Sequence, residues 1–213
     1  MSLIVVEGID AAGKTTVSKE LGRRLDCPVK ASGIQDFLLE TKKVVDSSPE
    51  RYLMPRLVYY LAMNQLVVNS SIDEIKKGPL ILDRYIYSTQ AAHNTFDELW
   101  CKGVHKEEIK ILINAAKKDL AVPDAVIFLS VNSEQRQKRL LRRGSSKNNR
   151  LDLDEEIAWR TEEKFKGIAN ALTEEGRIKV AWIDTSGQDV DAVVGMSLQF
   201  VRSSQLRLTY MPV

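Results

Sequence analysis

The chain alternates between short apolar runs and longer stretches in which apolar residues recur every three or four positions. The short runs are Leu3–Val6, Cys27–Ala31, Leu80–Leu82, Ala125–Val131 and Lys179–Asp184. Their nearly continuous apolar character, rich in valine and isoleucine, predicts buried parallel strands. The helical spacing predicts helices over Val17–Leu25, Phe37–Val45, Leu53–Lys77, Ser88–Asn94, Glu107–Asp119, Gln135–Arg143, Leu153–Thr173 and Asp189–Gln205. Gly78 and Pro79 stop the long third helix, and Asn132 to Gln135 carries capping chemistry. Asp46 to Glu50 reads as a turn or helix start, Phe96 to Lys106 as a surface connection, and Ser32 to Ile34 as a loop after the second strand. Strands alternating with helices predict a three-layer α/β fold, a five-stranded parallel sheet with helices on both faces. Ligands in such sheets bind at the carboxyl ends of the strands.

Composition narrows this picture. The 213 residues suit one domain with a lid, and 44% hydrophobic residues suffice for a single core. A net charge of +2 argues against a general polyanion binder, so any basic feature is local. Cys27 and Cys101 match neither a metal-ligand spacing nor a disulfide framework. The first strand begins at once and no apolar run approaches a membrane span, so the expectation is a cytoplasmic protein.

The chemistry concentrates after the first strand. Gly8, Ile9, Asp10, Ala11, Ala12, Gly13, Lys14 and Thr15 match G-x-x-x-x-G-K-[ST] without a mismatch, followed by Thr16. Glycines let successive N–H groups face an anion, and the helix beginning near Lys14 adds its positive end. Lys14 is expected to reach the β- and γ-phosphates of ATP, and Thr15 to sit on Mg²⁺. Asp83 and Arg84 follow a buried strand, where the carboxylate can serve the metal and the guanidinium a phosphate. Thr185 and Ser186 close the fifth strand.

From Gln135 to Leu151 there are seven basic residues and no acid: Arg136, Lys138, Arg139, Arg142, Arg143, Lys147 and Arg150. One reading is a cationic lid over about 144–151 that supplies transition-state charge. A solvated charged helix is the plainer reading for some of these residues. Nucleic-acid binding is weakened by the lack of interleaved aromatics and by six acids between Asp152 and Glu163. Asp10 is an odd residue in an anion loop and is expected to point away, toward a hydroxyl on a second substrate. Tyr60 offers a stacking face, Asn64 a donor and an acceptor one turn on, and Arg56 a cation one turn earlier. His93 and His105 are too isolated for a metal site.

The phosphate loop, the Asp83–Tyr85 element with Ser88 following, Pro123–Asp124 before a strand, and Arg139 to Gly144 before a basic segment resemble the thymidylate kinase family over nearly the whole chain. The resemblance implies a P-loop NTPase fold with ATP as donor and Mg²⁺ as cofactor. It implies Asp10 on the nucleotide sugar, Asp83 and Arg84 on the metal and acceptor phosphate, and Tyr60 stacked on the base. Asn64 stands where the family has a base-reading arginine, and His93 where many members have glutamine. The family's acid-Pro-Gly or Pro-Glu-Arg segment is replaced by Ala31 to Ile34. Arg56 to Ile72 and Leu82 to Thr89 look closer to the mitochondrial UMP-CMP kinase 2 branch. With no arginine among Ile9 to Ala12, the resemblance implies catalytic charge from Arg143, Lys147 and Arg150.

The expected activity is therefore transfer of the γ-phosphoryl of ATP to a pyrimidine nucleoside 5′-monophosphate, dTMP first, with dUMP, UMP or dCMP as alternatives. A deoxynucleoside kinase and a regulatory P-loop NTPase are competing readings. Expected site residues are Lys14, Asp83, Arg84, Arg143, Lys147 and Arg150 for catalysis. The ATP site is Gly8 to Thr16 with Arg139 and Ser186. The acceptor site is Asp10, Arg56, Tyr60, Asn64, Arg84 and His93, and Thr15 and Asp83 would hold the metal. Expected partners are the two nucleotides, with a homodimer as candidate assembly and neither nucleic acid nor membrane.

Overall fold

The computed structural model describes residues 2–31, 39–47, 51–144, 153–204 and 206. Five parallel strands, β1 (Ser2–Gly8), β2 (Val29–Ala31), β3 (Pro79–Asp83), β4 (Ala125–Ser130) and β5 (Lys179–Asp184), form one sheet in the order β2-β3-β1-β4-β5. The central strands β1, β3 and β4 are buried along their whole length. Ile4 lies opposite Ile81 on one side and Ala125 on the other, so apolar side chains stack across the sheet. Burying each such side chain contributes about 1.5–3 kcal/mol.

The helices among the described residues are α1 (Lys14–Leu25), α2 (Leu39–Ser47), α3 (Leu53–Ser70), α4 (Ile72–Lys77), α5 (Ile86–Trp100), α6 (Lys106–Asp119), α7 (Ser133–Arg143), α8 (Glu155–Glu175) and α9 (Val190–Ser203). Helix α1 packs with α9 over the sheet, while α5 packs among α3, α6 and α8. Gly22 makes the close approach of α1 possible, since a Cβ there would stand 2.3 Å from the Val29 side chain. The capping expectation at Asn132 holds: its side chain accepts from the Gln135 N–H at 2.9 Å. No described helix is long and apolar enough to cross a membrane.

Two expected elements differ. The single helix expected over Leu53–Lys77 is broken at Ser71, which separates α3 from α4. The Ser71 hydroxyl donates to the Val67 carbonyl and its N–H to Val68, so the side chain competes with the helix ladder. The helix expected over Ser88–Asn94 runs on to Trp100, because Phe96 is buried and stacks on the Trp100 ring at 4.7 Å. The first part of the expected surface connection is therefore helix. Ser32 to Ile34, part of the Asp46–Glu50 turn, and the expected lid apart from Gly144 lie outside the described residues.

Candidate active site

The backbone between β1 and α1 curls as the motif requires. Gly8 has φ 144°, and a Cβ there would lie 2.2 Å from the Leu129 carbonyl oxygen, so only glycine fits beside β4. Ala11 at φ 67° and Gly13 at φ 95° complete the curl, and the Ala12 N–H donates to the Ile9 carbonyl at 3.2 Å. Lys14 is buried, and its ammonium donates to the Ile9 carbonyl at 2.7 Å. Burial, and next the charge of Arg84, pull its pKa down to about 8 against the opposing pull of Asp10, Asp83 and Glu7. Polyphosphate in the loop would favour the charged form again.

At the end of β3 the Thr15 hydroxyl donates to Asp83 Oδ2 at 2.6 Å. Asp83 is nearly buried, and its Oδ1 has no partner among the described residues. The pair expected to hold a metal is thus assembled, with one carboxylate oxygen still needing a partner. Arg84 has φ 74°, unusual for a non-glycine residue, and its guanidinium is hydrogen-bonded to Asp10. Asp10, expected to meet a hydroxyl of a second substrate, is instead paired with the Arg84 guanidinium at the edge of the loop.

Lys14, Thr15, Thr16, Arg84, Arg139 and Arg143 line a cavity of about 510 Å³ with Asp10, Ala11 and Gly13. Arg139 is anchored: Nη1 donates to the Ala11 carbonyl (3.0 Å) and the Thr185 hydroxyl (2.8 Å), and Nη2 to the Thr185 carbonyl (2.7 Å). The residue after β5 that touches the phosphate loop is Thr185, whose hydroxyl lies 3.2 Å from the Ala12 carbonyl. Ser186 does not reach this cavity. Its hydroxyl accepts from the Asn132 N–H, and its own N–H donates to Asp184. Arg136, placed on the same helix stripe as Arg139 and Arg143, is 2% exposed and pairs with Glu155 at 2.5 Å. It braces α7 against α8 and is not a lid cation. Lys147 and Arg150 lie outside the described residues.

The expected acceptor residues come together, but largely around one another. Arg56, expected to serve a phosphate, is engaged by neighbouring side chains. Its Nε donates to Asp46 at 2.9 Å, and its guanidinium lies over the Tyr60 ring at 4.6 Å and the Phe96 ring at 4.9 Å. Asp46 also accepts from Lys42 at 2.6 Å and from the Tyr60 hydroxyl at 3.0 Å. His93 is fully buried, with Nδ1 2.7 Å from the Thr89 carbonyl and Nε2 3.4 Å from Arg56 Nη1. The contact to a carbonyl places the ring proton on Nδ1, so Nε2 accepts from Arg56. Burial and the Arg56 charge push the imidazole pKa down to about 3 and keep the ring neutral. Asn64 cannot turn its amide freely: Nδ2 donates to the Tyr60 carbonyl (2.7 Å) and the Thr89 hydroxyl (3.0 Å). A flipped amide would set oxygen against the carbonyl. Its Oδ1 has no partner among the described residues.

Sequence reasoning missed Glu7 and Asp46. Glu7 accepts from the N–H groups of Tyr85 (2.8 Å) and Ser88 (3.0 Å) and from the Ser88 hydroxyl. Its signal was an acid inside an apolar strand. Asp46 sat in a stretch read as a turn, and its partners are 4 to 14 residues away on α2 and α3.

Residues 4–189 match the family model for deoxynucleoside kinases. A thymidylate kinase of Bacillus velezensis is 29% identical over 161 residues, covering 71% of this chain and 73% of that protein. Among solved structures, thymidylate kinase from Candida albicans superposes with a TM-score of 0.75 at 21% identity, covering 100% of this chain and 95% of the other. A deoxyadenosine kinase from M. mycoides with dCMP and dCDP bound superposes with a TM-score of 0.71 at 16% identity, covering 94% and 99%. The resemblance to thymidylate kinases read from the sequence is borne out by these relatives, and the three-layer fold by the superpositions.

Proposed function

Because the chain belongs to the deoxynucleoside kinase family, we propose that it transfers the γ-phosphoryl of ATP to a pyrimidine nucleoside 5′-monophosphate, with dTMP as the first acceptor to test. The observation that carries this reading is Arg84, a guanidinium that lines the cavity of the phosphate-loop residues Lys14 and Thr15. A cation there suits an acceptor that already carries phosphate. A phosphate oxygen is ionised at neutral pH and attacks without a general base, whereas a sugar hydroxyl must lose a proton. Asp10, the carboxylate that lines this cavity among the described residues, is paired with Arg84.

In this reading the loop N–H groups and Lys14 hold the donor phosphates, and Arg139 and Arg143 line the outer wall. Positioning and charge stabilisation supply the rate enhancement. The residues present fit a divalent cation, since the buried Asp83 Oδ1 lacks a partner among the described residues beside the Thr15 hydroxyl. Thr15 and Asp83 would hold Mg²⁺, which neutralises phosphate charge when bound. Tyr60, Arg56, His93 and Asn64 form the wall we assign to the base.

A deoxynucleoside acceptor is the second reading. The family model favours it, as does the commitment of Arg56 to Asp46, which leaves Arg84 as the acceptor cation supported by geometry. Purified protein with ATP and Mg²⁺ is tested against dTMP, dUMP, UMP, dCMP and the deoxynucleosides, with ADP and product both measured. Diphosphate from a monophosphate is expected. Turnover confined to deoxynucleosides would replace the first reading with the second, and ADP release without a phosphorylated product would remove both.

A further inference from the structure

Glu7 is the fully buried acid of β1, and the phosphoryl-transfer chemistry above makes no use of it. It is surrounded by N–H groups of the turn that follows β3. Helix α5 begins at Ile86 after Tyr85, and Tyr85 makes no side-chain cap. The cap comes from across the sheet: Glu7 Oε1 accepts the N–H groups of Tyr85 at 2.8 Å and Ser88 at 3.0 Å, and Oε2 accepts the Ser88 hydroxyl. One residue earlier, the Arg84 N–H donates to the Val6 carbonyl at 3.0 Å. Successive N–H groups of Arg84 and Tyr85 are therefore fastened to successive residues of β1. Arg84 sits between these clamps at φ 74°, a strained conformation for a non-glycine residue that persists only where its surroundings enforce it. The Ser88 hydroxyl also lies 3.5 Å from Arg84 Nη1, so one hydroxyl touches both the clamp and the guanidinium.

We propose that Glu7 is a positioning residue for the acceptor: by capping α5 and holding Ser88, it fixes the backbone of Arg84 and hence the place where the guanidinium meets the acceptor phosphate. This rests on the reading of Arg84 as the acceptor-phosphate cation. The charged groups that act on Glu7 are Arg84 and Lys14, and the neutral phenol of Tyr87 on α5 is the further titratable neighbour. Burial raises the Glu7 pKa to about 7, so the carboxyl is partly protonated at neutral pH. The geometry tolerates both forms, because the Ser88 hydroxyl can donate to the carboxylate or accept from the acid. The positioning is thus a matter of hydrogen-bond geometry. Glutamine, whose Oε1 can take both N–H groups and whose amide can donate to Ser88, substitutes for it. Alanine removes the cap.

The test compares Glu7→Gln, Glu7→Ala and Ser88→Ala in steady-state kinetics with dTMP and ATP, alongside thermal melts. Glu7→Gln is expected within about threefold of wild type, a conservative rescue. Glu7→Ala is expected to lose roughly a hundredfold in kcat/KM for the acceptor, the scale of a 1 Å misplacement. Its KM for ATP should stay within about twofold. Should Glu7→Ala not fold, Ser88→Ala decides, with an expected acceptor-side loss of roughly tenfold. Equal loss in Glu7→Gln and Glu7→Ala, a loss falling equally on ATP, or a Ser88→Ala protein like wild type would overturn the proposal. A wild type with no turnover on any monophosphate would instead show that the reading of Arg84 has failed.

Discussion

Asp46 gathers Lys42, Arg56 and Tyr60 beside the wall we assign to the base, and its removal makes a demanding test. In Asp46→Ala, Arg56 loses the carboxylate 2.9 Å away, while the Lys42 ammonium and the Tyr60 hydroxyl lose their acceptor. The guanidinium is left between two aromatic rings with His93 Nε2 as its remaining polar neighbour in this group. Breaking one side of a fully buried pair costs about 3–5 kcal/mol. The Asp46 and Arg56 side chains keep 18% and 11% exposure, so water offsets part of this, and about 2–3 kcal/mol is expected. Arg56→Met, which leaves the carboxylate its Lys42 and Tyr60 partners, should cost less, about 1–2 kcal/mol. The double variant should be more stable than the sum by about 1–2 kcal/mol, since the second change removes the stranded charge. Urea unfolding of the four proteins supplies the cycle. Acceptor KM should rise more than ATP KM in Asp46→Ala, because Tyr60 loses its tether. The pH dependence has a definite sign. Burial works to raise the Asp46 pKa, but Arg56, Lys42 and the Tyr60 hydroxyl outweigh it and the pKa is lowered. The stabilisation is therefore present above the ordinary carboxylate range and is lost as pH falls through the lowered value. Additive single changes within about 0.5 kcal/mol would refute the reasoning.

Lys14→Ala should abolish phosphoryl transfer and leave the circular dichroism spectrum intact, because its ammonium acts on charge that develops in the transition state. Near-normal ADP release from the folded variant would defeat the phosphate-loop assignment. Glu7 has its pKa raised from 4.5 to about 7. The native state therefore binds the proton more tightly, and stability should fall by about 3 kcal/mol as pH rises from 4.5 to 7. Glu7→Gln should flatten that part of the urea-derived profile, and an unchanged slope would assign it to another group. Asn64→Arg should destabilise the fold by about 1–3 kcal/mol through overpacking and should not retune the base preference. Asn64 is 2% exposed, with both donors engaged. A folded variant with wild-type stability and a clean switch between dCMP and dTMP would contradict this.

The geometry of the loop we assign to the donor was legible in the sequence because its parts are covalent neighbours. Gly8 to Thr16 form their cradle from local backbone geometry, and Asp83 joins them as the next strand over. The base end was not legible in the same way. Helical spacing put Arg56, Tyr60 and Asn64 on one face, but their partners come from α2 and α5. Asp46 turns Arg56 inward, and Thr89 fixes the Asn64 amide. A spacing rule names neighbours on one helix and is silent about what another helix brings to them. The basic helix failed for the same reason. Arg136 and Arg139 read alike in sequence, yet one meets Glu155 on α8 and the other the carbonyls of Ala11 and Thr185. Glu7 was missed because its partner Ser88 lies 81 residues away.

Strand β1 supplies a carbonyl to Arg84, a carboxylate to α5, and then the whole phosphate loop. The seats we assign to the donor and to the acceptor phosphate thus hang from one buried strand, so the span between them is set by its fixed length. The wall we assign to the base is built from Arg56, Tyr60 and Asn64 on α3 and His93 on α5, and Asp46 on α2 ties it together. Of that wall only the α5 part is fastened to the strand, so a change at Asp46 or Tyr60 leaves the anchors of both phosphate seats in place.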